Sequence, residues 1–207
     1  MTRSTLGLLA ALLLLLQPGP AVESLPKDAA PPVAPAPAPA APAAEGKEVA
    51  AKPAPAAPGA RAARSRSRAA DAARLLRRIN PELSEQEALR IGDAVVKHGT
   101  RYGLDLELVL AVILVESGAR PGVVSPAGAL GLMQVMPAHF ERLGLPGDGT
   151  HVERNVQVGC SILARNIARH GEARGILAYY WGEVIRGEAY LEKVRAAQAQ
   201  VRARLSS

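Results

Sequence analysis

Three places in this sequence carry side chains able to do chemistry. Glu116 closes an apolar run at residues 108–115. Gln134 lies downstream, past a stretch dense in Gly, Pro, Ser and Ala. Tyr179, Tyr180 and Trp181 bring together three of the few aromatic residues. A carboxylate at the end of a dry helix meets two penalties: apolar surroundings and the negative end of the helix dipole both disfavour its charge. Both push its pKa upward, toward the protonated state that a general acid needs near neutral pH. The plain alternative is a glutamate pointing to solvent from a helix end. The wholly apolar turns before Glu116 and the tight loop after it favour the acid. Gln134 offers an amide donor and acceptor. The three aromatics offer flat faces with polar tips, suited to stacking on sugar rings and, through a phenol, to bonding the acid.

Other chemistries find little support. The four His residues do not pair at metal-ligand spacing, and no Cys-x-x-Cys is present, so no metal or other cofactor is expected. There is no Gly-x-Ser-x-Gly elbow and no phosphate loop. The one thiol, Cys160, reads as a small core residue rather than a nucleophile. His98 shares a helical stripe with Ala88, Ile91, Val95 and Tyr102, which makes it a structural histidine.

The elements that must position these groups are helical. Residues 71–79 suit a short helix ended by Asn80-Pro81. Ser84-Glu85-Gln86-Glu87 forms a capping box for a helix that stops at Gly103. Asp105 caps the next helix, whose residues 108–115 are apolar on every side and therefore buried centrally. Ser117-Gly118 ends it. Residues 121–132 form a loop, and Pro137 opens a short helix through Leu143. Asn155 is a good cap for a helix to His170, and two further helical stretches cover residues 175–181 and 188–205. No strand pattern is convincing. The expected fold is mainly α, a cluster of short helices around one buried helix.

The remainder of the chain of 207 residues is not globular in pattern. Residues 1–21 read as a secretory signal, too short for a membrane span of about 20 apolar residues. No Cys follows the apolar centre as a lipid site. Residues 22–70 read as a disordered Pro/Ala-rich spacer ending in a basic arm at residues 61–68, and residues 71–207 as the folded domain. The arm could bind nucleic acid, but export argues against that and favours attraction to an anionic wall or membrane surface. The net charge of +6 fits. The expected location is the periplasm or the outside, with no lasting membrane span once the signal is removed.

The run ESGARPGVVSPAGALGLMQVMP, residues 116–137, resembles the signature of soluble lytic transglycosylases, the goose-type-lysozyme-like SLT domain. The likeness extends upstream through YGLDLELVLAVILVES and downstream through Asn155-Val156 with Gly159 and through residues 178–182. It implies a lysozyme-like fold and places Glu116 on the catalytic acid. It places Ser125, Met133, Gln134 and Asn155, with Tyr179, Tyr180 and Trp181, at substrate-contacting positions, Tyr179 also touching the acid. Two departures stand out: Tyr180-Trp181 replaces the usual Asn-Ala, and Glu153-Arg154 replaces an Asp-Pro. The implied substrate is peptidoglycan, cut between N-acetylmuramic acid and N-acetylglucosamine with a 1,6-anhydromuramyl product.

Most glycosidases use two carboxyl groups. Only Glu116 has a convincing setting, so a single acid/base assisted by the substrate's own acetamido group is expected. The alternatives are a goose-type-lysozyme-like hydrolase, with Asp148 or Glu153 helping a water, and a non-catalytic peptidoglycan-binding module that seats an envelope or secretion assembly.

Overall fold

The computed structural model describes residues 58–206 apart from position 146. The expected signal and most of the Pro/Ala spacer, residues 1–57, lie outside the described residues. Seven helices make up the described part: α1 Pro58–Ile79, α2 Glu85–Tyr102, α3 Leu106–Ser117, α4 Pro137–Arg142, α5 Val152–His170, α6 Glu172–Trp181 and α7 Ala189–Leu205. Among the described residues no strand forms, only isolated antiparallel bridges from Leu130 to Val124 and to Val135. No described helix is long and apolar enough to cross a membrane.

α3 is the central element. Leu106 and residues 108–113 are all buried, so no face of the helix is left for solvent. Each large aliphatic side chain so buried is worth about 1.5–3 kcal/mol. α3 packs on α7 and α2, α2 packs on α1 and α5, and α5 packs on α6. Local chemistry sets the boundaries. Ser84 and Glu87 close the capping box at the start of α2, and Gly103 and Gly118 end α2 and α3 in the left-handed conformation. Pro137 takes the first turn of α4.

Two expectations shift. Residues 58–70, expected in the unstructured spacer and its arm, are helical. Ala69, Ala72, Ala73 and Leu76 bury one face of α1, and a run of Ala and Arg, both good helix formers, continues the helix upstream with its side chains exposed. α5 begins at Val152 with His151 as its cap, so Asn155 is inside the helix rather than at its start.

Candidate active site

Glu116 occupies the next-to-last position of α3 and is half-buried. The helix exit behind it is tied down at several points. Ser117 is buried and its hydroxyl donates back to the Ile113 carbonyl at 3.0 Å. The Ser117 carbonyl accepts from the Arg120 Nε at 2.9 Å. The carboxylate itself accepts a hydrogen bond on Oε1 from the Tyr190 hydroxyl at 2.6 Å. Tyr190 comes from the start of α7, 74 residues away in the chain. Sequence reasoning missed it: α7 reads as an ordinary alternation of apolar and basic positions, and Tyr190 fits that stripe as a core residue.

The aromatics gather around this pair. Tyr180 stacks on Tyr190 with ring centres 4.6 Å apart and an 18° tilt. Trp181 meets Tyr180 edge-on at 4.9 Å, and its indole N–H donates to the Gly187 carbonyl at 3.2 Å. Tyr179 donates from its hydroxyl to the Met133 carbonyl at 2.7 Å. Burial, and then the nearby Glu116 charge, push the phenols of Tyr179 and Tyr190 well above their usual range. Tyr180 is raised for the same two reasons. All three therefore stay neutral and able to donate. Burial also pushes the Cys160 thiol up to about 12, which leaves it protonated and inert.

The loop facing the acid is a rigid object. Gln134 is a non-glycine residue at φ 48°, a left-handed conformation that costs a side-chain-bearing residue about 1–2 kcal/mol. Its amide nitrogen donates to the carbonyls of Gly131 at 2.9 Å and Val123 at 3.2 Å and holds the turn. Asn155, fully buried, uses its whole amide: it donates to the carbonyls of Leu130 and Gly149, both at 2.7 Å, and accepts from the Met133 N–H at 2.8 Å. Gly131, at φ 70°, leaves the space for this: a Cβ there would sit 2.6 Å from the Asn155 nitrogen. Ser125 accepts the Ala129 N–H on its hydroxyl at 3.0 Å and closes the turn at the other end.

The expected contact residues also have structural work. Asn155 has no polar atom left for a sugar, and its role is to pin the loop to α5. Met133 is fully buried against Gly159 of α5, so its side chain anchors the loop from inside rather than lining a groove. Gln134 is mostly buried and Ser125 is taken up by its turn, so both shape the loop. Tyr180, partly exposed, stacks on Tyr190 and feels the Glu116 charge, and Trp181, also partly exposed, packs edge-on against Tyr180. Tyr179 reaches the loop through Met133 and feels the Glu116 charge.

The other two acids considered for catalysis hold structure. Asp148 accepts from the Thr150 N–H at 2.8 Å and hydroxyl at 2.6 Å. Glu153 lies in the first turn of α5, accepts from Lys97 and lies 2.8 Å from the Nε2 of the buried His98. His98 is thus half-satisfied, since its Nδ1 is sealed without a partner. A cavity of about 470 Å³ between α1 and α2, lined by Ala73, Arg74, Arg77, Pro81 and Leu89 among others, contains none of the expected site residues.

Known proteins share sequence with this chain. The chain is 35% identical over 107 residues to the endo-type membrane-bound lytic murein transglycosylase A of Klebsiella pneumoniae, which covers 47% of this chain and 52% of that protein. It is 34% identical over 96 residues to a transglycosylase of Enterobacteria phage PRD1, covering 46% of this chain and 36% of that one. The chain thus spans about half the length of the first relative and about a third of the second. A solved complex of the 70-kDa soluble lytic transglycosylase with bulgecin A matches 58% of this chain and 23% of its own, at 22% identity and a TM-score of 0.42. Residues 93–200, just over half of the chain, match the transglycosylase SLT domain family, and the chain belongs to that family.

Proposed function

We propose that this protein is a peptidoglycan lytic transglycosylase in which Glu116 alone serves as acid and then as base. One observation carries the reading: a half-buried carboxylate at the end of a helix buried along residues 108–113, held by the Tyr190 hydroxyl at 2.6 Å, with Tyr180 stacked on Tyr190. Peptidoglycan strands are the substrate, consistent with the activity named for the Klebsiella relative. The cell envelope, periplasmic or external, is the place of action.

In the first step, protonated Glu116 gives its proton to the glycosidic oxygen as the bond to C1 of N-acetylmuramic acid breaks. The acetamido group of the same sugar stabilises the positive charge that develops at C1. Glu116, now a carboxylate, takes the proton of the C6 hydroxyl while that oxygen bonds to C1. The products are a 1,6-anhydromuramyl end and a free N-acetylglucosamine 4-hydroxyl, and the proton on Glu116 is regenerated. The Tyr190 hydrogen bond favours the carboxylate form and fixes its orientation. Tyr190, kept neutral by burial, orients the acid by donating to it.

The hydrogen bonds that engage Asp148 and Glu153 in local structure favour this reading over a hydrolase that uses either as its second carboxylate. Mass spectrometry of digested peptidoglycan separates the two. Anhydromuramyl ends are expected. Reducing muramic ends would indicate a hydrolase, and strands bound but uncut would indicate a binding module.

A further inference from the structure

We infer that Asn80 is a positioning residue for Glu116, and that α1 is part of the catalytic unit although it lies before the family-matched segment 93–200. The inference rests on the reading of Glu116 as the catalytic acid.

Asn80 ends α1 and is 8% exposed. Its side chain divides its work. The Oδ1 accepts the Glu82 N–H at 3.2 Å and shapes the turn into α2. The Nδ2 reaches across 39 residues of sequence to the Ala119 carbonyl at 3.1 Å. Ala119 is three positions past Glu116 and is fully buried. It is one of only two non-glycine residues with positive φ among the described residues, at 62°; the other is Gln134. It follows Gly118, also left-handed at 59°. The chain therefore leaves the acid through two successive left-handed residues, and the second carries a Cβ that makes this conformation unfavourable.

Such a conformation persists only where the surroundings over-determine it. The Asn80 amide supplies a buried hydrogen bond whose loss would leave the Ala119 carbonyl without that donor. α1 is held in turn on α2, where Ala69 packs so closely on Gly92 that a Cβ there would collide with the Ala69 carbonyl. The path from α1 to the acid is continuous: packed helix pair, Asn80 amide, strained Ala119, end of α3. Releasing the amide lets the exit turn relax and the Glu116 carboxylate drift from the Tyr190 hydroxyl.

The test is steady-state cleavage of soluble peptidoglycan strands by the full chain, with melting temperatures for each variant. Asn80→Asp keeps the Oδ1 acceptor and removes the donor. Asn80→Ala removes both. Each should lower kcat about 10- to 100-fold with KM little changed, within the ~10²-fold that a 1 Å misplacement can cost. Ser84→Ala, which removes a cap remote from Ala119, serves as the stability control and should lower the melting temperature with kcat unchanged. Adding Ala119→Gly to Asn80→Ala should restore part of kcat, because glycine holds the left-handed turn unaided. The inference is overturned if the Asn80 variants lose no more kcat than Ser84→Ala, if the loss falls on KM, or if Ala119→Gly restores nothing. A fully active Glu116→Gln variant would instead remove the catalytic reading itself.

Discussion

Two half-buried glutamates of this protein sit in opposite settings. Glu116 ends the driest helix and takes its hydrogen bond from a neutral phenol. Glu153 opens α5 and accepts from Lys97 and His98. Burial raises the Glu153 pKa, but the hydrogen bonds from Lys97 and His98, joined by their charges, outweigh it and hold the carboxyl below its ordinary value. That carboxylate is stabilised in its ionised form and joins α5 to α2. The Glu116 carboxylate takes a hydrogen bond from the Tyr190 hydroxyl, a donor that burial keeps neutral. The proposal gives the reactive role to the glutamate that Tyr190 holds and a structural role to the one that Lys97 and His98 hold.

Replacing each glutamate by glutamine tests this contrast most strongly. Glu116→Gln should lower cleavage of peptidoglycan about 10³-fold, within the range a general acid–base group contributes. Glu153→Gln should leave turnover near the wild-type rate and show its effect in stability. The reverse pattern in a rate assay would break the comparison. Tyr190→Phe comes next. A hydrogen bond to a charged group is worth roughly 1.5–3 kcal/mol, and about 1.4 kcal/mol is a tenfold rate change, so kcat should fall about 10- to 100-fold.

A smaller effect is expected from Gly159→Ala. Its Cβ would sit 2.8 Å from the Met133 Cβ, with the sulfur closer still, and would push the loop that Tyr179 holds. Overpacking of this kind costs about 1–3 kcal/mol, readable as a lower urea midpoint, with a partial loss of activity. The smallest effect concerns pH. The folded pKa of Glu153 lies below its unfolded value, so its contribution to stability is present above that unfolded value, about 4.3. It fades as pH falls through the folded pKa. The pair is more than a third exposed on the glutamate side, which limits the effect to about 1 kcal/mol or less. Acid unfolding of the wild type and of Glu153→Gln should converge below that range.

Most of the helices and several of their ends were legible in the sequence because caps and glycines announce them locally. The capping box at Ser84, the stops at Gly103 and Gly118, and the all-round burial of α3 needed nothing beyond neighbouring residues. Glu116 was legible for the same reason, as an acid at the end of an apolar run. Tyr190 was not, because its tie to Glu116 is a tertiary contact with no local trace. Asn155 and Met133 belong to the motif, but a motif does not tell whether its residues face inward or outward. Asn155 turned out to staple the loop, and Met133 to fill the space that Gly159 leaves. The helical state of residues 58–70 escaped because the buried Ala face that nucleates α1 lies downstream of the arm.

The segment from Val123 to Val135 is cross-linked by the two bridges to Leu130, the amide of Gln134 and two hydrogen bonds of Asn155. Under the proposed activity, a sugar strand arriving beside it would meet a mould already cast, so little affinity would be lost to setting the surface in order. Inhibitors shaped as stiff ring mimics should therefore gain more here than pliable ones, since the rigidity of one partner rewards rigidity in the other.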